Sequence, residues 1–175
     1  RFAEGAAHQR QALRFDRDNL PAKAQLAQDL LRLGRELEGW RLADEVQRQD
    51  GYDVTANNLV TLQATMVKFQ TLTDDHFTVR MSRHEAALYG PRVLELLQEA
   101  RVRLCAKYQP QLTWPVLVEI FPEQKDFAVR TFGLPDVAGF LGVCSGRVVT
   151  ANSPATSSST TVWPPSCSTC SGWPA

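Results

Sequence analysis

The sequence predicts an α+β chain: antiparallel helical repeats first, then a partial α/β domain with a small mixed sheet of about three strands. Three observations carry this. Apolar residues recur at helical spacing, with a 34-residue period, over positions 1–72. From residue 73 the pattern switches to alternating and short-run apolar segments. After Arg147 charged side chains stop, and Ser, Thr, Pro, Cys and Trp take over. The expected organisation is 1–72 helical repeats, 73–154 the α/β part, and 155–175 a disordered tail of low complexity.

Arg14, Asp16, Ala22 and Leu26 are followed 34 positions later by Arg48, Asp50, Ala56 and Val60. Leu20, Ala24, Ala27, Leu30 and Leu31 form a helical stripe that Gly34 ends. Asp18 or Asn19 is the expected N-cap, with Pro21 in the first turn. Trp40, Ala43 and Val46 mark the next helix, and small residues such as Ala27 and Ala43 are what close helix packing needs. Val54–Leu72 reads as one more helix, ended by Thr73-Asp74-Asp75. This period resembles that of tetratricopeptide (TPR) repeats, in which each unit is a helix–turn–helix. The unit would run from about Leu20 to Asp53. A generic antiparallel helical hairpin is the competing reading, because most of the signature aromatics are missing.

Beyond Asp75, His76–Met81 alternates as a strand, Val116–Phe121 is a near-continuous apolar strand, and Val143–Ala151 is a third. Arg92–Tyr108 is a helix that Gly90-Pro91 starts or kinks. Glu123–Phe132 is a shorter helix with Gly133 as its stop. The order β–α–β–α–β argues a mixed sheet with helices on it.

Composition excludes several function classes. Nineteen basic residues balance nineteen acidic ones, so no basic stripe points to nucleic acid. Runs such as Val116–Phe121 are far too short for membrane insertion. The chain begins at Arg1 within a helical pattern, without a signal peptide, and reads as a piece of a longer protein. Cys105 and Cys144 lie in apolar contexts and are expected in the core. Cys167 and Cys170 form a C-x-x-C without the second pair or strand–helix setting that zinc or redox chemistry needs.

The stretch Asp75–Arg80, the helix through Leu104, the strand Pro115–Phe121, and Gly139–Pro154 with its Asn152-Ser153-Pro154 ending together resemble the peptidase MA-like family of gluzincin zinc metallopeptidases. The resemblance implies a metallopeptidase-type hydrolase fragment whose strand around Gly142–Asn152 is the edge strand above an active site. Val143, Ser145, Arg147 and Val149 would then line an extended substrate. It also implies a later helix bearing His-Glu-x-x-His, whose two histidines hold zinc while the glutamate activates the bound water. Zinc is therefore expected only of a full-length relative. This chain offers no catalytic residue, cofactor site or metal ligand set: His84-Glu85 is followed by Leu88 where the second ligand would stand, and His8 and His76 carry no ligand spacing. His84 and Glu85 read as a solvated helix start. The tail reads as a truncated or out-of-frame end, or else a natural disordered terminus. Gly142-Val143-Cys144-Ser145-Gly146 lacks the strand-to-helix turn of a nucleophile elbow. Arg147 either faces solvent or pairs with a carboxylate. Trp40, Trp114 and Tyr89 read as packing residues. The alternative to a peptidase relative is a TPR-type scaffold that binds a partner protein or peptide through its helices.

Overall fold

The computed structural model describes residues 1–110, 115–137, 139–145 and 147–154. The fold is mixed α+β. Four antiparallel helices come first: α1 Phe2–Phe15, α2 Leu20–Arg32, α3 Glu36–Gln49 and α4 Val54–Met66. The rest alternates: β1 Phe69–Thr73, β2 Phe77–Ser82, α5 Arg83–Tyr108, β3 Val116–Phe121, α6 Gln124–Phe132, β4 Gly142–Cys144 and β5 Val148–Asn152. The strands form one sheet in the order β1-β2-β3-β5-β4. β2, β3 and β5 run parallel, and the two outer strands are antiparallel to their neighbours.

Local chemistry sets the helix boundaries. Adding 34 to the limits of α1 and α2 gives those of α3 and α4. The turns repeat too. Asn19 caps α2 by accepting from the Ala22 N–H at 3.0 Å, and Asp53 caps α4 by accepting from the Ala56 N–H at 2.7 Å. Asp16 and Asp50 each accept from the backbone N–H two residues on. Gly34, at φ +75°, closes α2 in the left-handed region that glycine enters cheaply. Gly39 lets α3 approach α2 closely: a Cβ there would lie 2.8 Å from the Leu31 side chain.

Two layers cover the sheet. Leu26, Leu30, Leu31, Leu59 and Leu62 of the helical unit share one core with Phe121 and Phe127, so α1–α4 and α6 lie on one face. On the other face Phe77, Val79, Met81, Val118 and Ile120 pack against α5 around Ala86. A buried charge cluster joins the helical layer to the sheet. The Glu119 carboxylate, fully buried, lies 2.8 Å from Arg130 and 3.6 Å from Arg80. Arg80 also donates to Glu36 at the start of α3, at 2.6 Å.

Several expectations are corrected. The sheet has five strands, not about three. Val54–Leu72 is not one helix: α4 stops at Met66, and Phe69–Thr73 pairs with β2. Asp74 makes the intervening turn, accepting from the N–H groups of His76 and Phe77 at 2.8 and 2.7 Å. Val143–Ala151 is two strands, Gly142–Cys144 and Val148–Asn152, paired antiparallel. The helix placed at Arg92 begins at Arg83, where Ser82 accepts from the Glu85 N–H. Gly90-Pro91 lies inside it, and Gly90 serves a close approach: a Cβ would meet Leu72 at 2.6 Å. Cys105 is half-buried and Cys144 exposed, the latter on a marginal strand. The tail from residue 155, Trp114 and Gly146 lie outside the described residues.

Candidate functional site

In open sheets with parallel strands, ligands gather where the strands end. At the carboxyl ends of β2, β3 and β5 this chain places Ser82, Glu85, Tyr89, Gln124, Asn152 and Ser153. Ser82 begins α5 and the Ser82-x-x-Glu85 spacing brings the carboxylate back to the cap, where Ser82 Oγ donates to Glu85 Oε2 at 2.9 Å. The other carboxylate oxygen accepts from the Ser153 hydroxyl. Ser153 Oγ also lies 3.0 Å from the Tyr89 hydroxyl, one helical turn beyond Glu85. The Ser153 N–H extends the sheet by donating to the Phe121 carbonyl at 2.8 Å. Beside it, the Asn152 side chain donates to the Phe140 carbonyl at 2.9 Å and to Gln124.

Glu85 is buried, which corrects the solvated reading; His84 beside it is exposed. Burial pushes the Tyr89 hydroxyl up to about 12, the Glu85 carboxylate adding to the effect while the Ser153 contact opposes it. Tyr89 therefore stays a neutral donor at any ordinary pH. Ser153 thus has a carboxylate and a phenol among its hydrogen-bonding neighbours. The cluster ties the chain leaving β5 to the first turns of α5. Tyr89 was read as a packing residue and is also a hydrogen-bonding one. The Ser-x-x-Glu spacing is the sequence signal that would have found both the helix start and the buried glutamate.

The four residues expected along a substrate edge are divided between two strands and the positions flanking them. Val143 lies on β4, at the margin of the sheet, and packs against the helical-layer core. Ser145 follows it, half-buried, its N–H donating to the Val148 carbonyl at 2.8 Å. Arg147, just before β5, is exposed, its guanidinium 3.4 Å from the Pro115 carbonyl. Val149 lies on β5, between β3 and β4, and packs on the α5 side. Only Val143 and Ser145 are therefore at the margin.

The described side chains do not fit a zinc ion. Glu85 is engaged with two hydroxyls, Leu88 fills the position one turn after His84, and no group of three or more His, Cys, Asp or Glu side chains among the described residues converges on a point. Among the described residues no helix is long and apolar enough to cross a membrane. No family model, curated protein or solved structure matches this chain.

Proposed function

We propose that this chain is part of a TPR-containing protein of the peptidase MA-like family, catalytically inactive in itself, with its helical repeats buttressing the front of the peptidase-like domain. The observation that carries this reading is the 34-residue recurrence of helix limits and cap contacts in a unit that shares its core with a mixed sheet. The resemblance of Gly139–Pro154 to that family supplies the rest. In this reading the Glu85–Ser153–Tyr89 tie fixes the direction in which the chain leaves the sheet after Asn152. The domain's active-site helix would then be aimed from a rigid point.

The test is genetic and then biochemical. The codons after Asn152-Ser153-Pro154, read in all three frames of the source DNA, are expected to encode His-Glu-x-x-His within a few tens of residues. The 175-residue chain is expected to leave a mixture of unstructured peptides uncut with or without zinc. A source without the motif in any frame, or stoichiometric zinc uptake by this chain coupled to peptide hydrolysis, would overturn the proposal.

A second reading, a TPR-type protein–protein interaction scaffold with no enzymatic role, is favoured by the helical unit alone. It predicts zinc-independent capture of a partner protein or peptide through α1–α4, with surface substitutions on those helices abolishing it.

A further inference from the structure

The margin opposite β4 carries a different feature, and its argument is independent of the peptidase reading. β1 is the outermost strand on that side. Its register with β2 pairs Leu72 with Val79 and Thr71 with Arg80, and the Asp74 N–H donates to the Phe77 carbonyl at 2.9 Å. Hydrogen-bonded pairs alternate along an antiparallel ladder, so Gln70, Leu72 and Asp74 turn their backbone groups toward β2. Those of Phe69, Thr71 and Thr73 turn away from the sheet. No backbone partner for these outward groups is present among the described residues.

Edge strands are usually blunted by a charge, a proline or a bulge. Phe69-Gln70-Thr71-Leu72-Thr73 has none of these, and it pairs with β2 in unbroken register. Against it, on the helical side, lies a cavity of about 260 Å³ lined by Trp40, Gln63, Met66, Phe69, Thr71 and Arg80. Trp40 and Met66 supply an apolar wall, and Gln63 an amide. The Arg80 charge is already answered by Glu36 and Glu119, so the cavity does not select a carboxylate.

We propose that β1 takes an extended peptide as a sixth strand, with an aromatic or branched apolar side chain seated in the Trp40–Met66–Phe69 cavity. Three outward N–H and C=O sets at two-residue spacing are what an extended backbone matches, and alternate side chains of such a peptide fall on the cavity side. A second copy of the chain pairing through β1 would carry its own helical layer onto the same face. A cavity of about 260 Å³ has room for one side chain, which suits a peptide that inserts a single residue.

The probe is the blocked peptide acetyl-Lys-Thr-Tyr-Thr-Val-Thr-Lys-amide, titrated into the nitrogen-15-labelled 175-residue chain. Amide shifts are expected at Phe69–Thr73 with the Trp40 indole N–H. The same peptide N-methylated at every residue is expected to bind at least tenfold more weakly. Thr71→Pro removes an outward N–H while leaving the β1–β2 ladder its bonds, and is expected to weaken the unmethylated probe by a similar factor. Should that variant not fold, the methylated peptide decides alone. The proposal is overturned if the methylated probe binds equally well, if no shifts occur at millimolar probe, or if the shifts centre on Gly142–Cys144. It is equally overturned if sedimentation shows a concentration-dependent dimer that Thr71→Pro abolishes, since a second copy would then occupy the edge.

Discussion

A phenol needs water to hold its charge, and Tyr89 has little of it. Its hydroxyl, normally near 10, is held to about 12 by burial, with the Glu85 carboxylate adding to the effect. A group whose proton is held more tightly in the folded than in the unfolded chain adds stability while the proton stays on. That contribution is present in full below pH 10 and disappears as pH rises through 12. Chemical denaturation across this window is expected to show an alkaline loss of stability that Tyr89→Phe reduces, and ultraviolet difference absorbance should show a tyrosine ionising near pH 12 that is lost in the same variant. An alkaline profile unchanged by Tyr89→Phe would refute it. This residue and Glu85 were only partly legible. Composition argues that a glutamate next to a histidine at a helix start is solvated. The contact that buries Glu85 comes from Ser153, sixty-eight positions away, and no local pattern encodes so distant a partner.

Among the elements, the helical unit was the most legible, because its signals are local. Asn19 was placed as a possible cap, Gly34 as a breaker, and Ala27 and Ala43 as close-packing residues; in the structure Asn19 caps α2, Gly34 closes it and both alanines are fully buried. Replacing Asn19 or Asp53 with alanine removes the acceptor for an otherwise orphaned N–H, and is expected to cost about 1 kcal/mol each. Since the two caps occupy equivalent places, urea denaturation should give similar losses for both. A large loss at one and none at the other would show that the repetition is one of shape only. The sheet was less legible. Phe69-Gln70-Thr71-Leu72-Thr73 continues the apolar spacing of α4, and a five-residue segment cannot be told from a helix end by spacing when its strand partner is not yet known. Val143–Ala151 failed for another reason: Ser145-Gly146-Arg147 interrupts the apolar run, but only the pairing of β4 with β5 shows that the two parts are separate strands. Gly90-Pro91 has the look of a boundary, but Leu72 sets the need for glycine there.

For the whole molecule, the sequence conveys the class and the order of layers, while the join between them is tertiary. Glu119 and Arg130 were not singled out at all, since one acid in an apolar strand and one base in a short helix look like surface residues. Burial pushes the Glu119 carboxyl up, Arg130 and Arg80 pull it down, and Glu36 adds to the rise. Removing one member leaves the other charge stranded. Glu119→Leu is expected to destabilise by about 3–5 kcal/mol, and the double change with Arg130→Met by clearly less. Equilibrium unfolding of the two single variants and the double variant measures this; a double loss equal to the sum of the single losses would mean that the pair contributes nothing as a pair. Leu30 and Leu59 of the helices touch the same interior as Phe121 and Phe127 of the α/β part, so the two halves share one interior, while the α5 side of the sheet has another. Amide protons in the middle of α2 and of β3 then exchange with solvent through one shared opening, at one common free energy. A nick at the Val67-Lys68 link would sever the backbone and leave the two pieces clasped together.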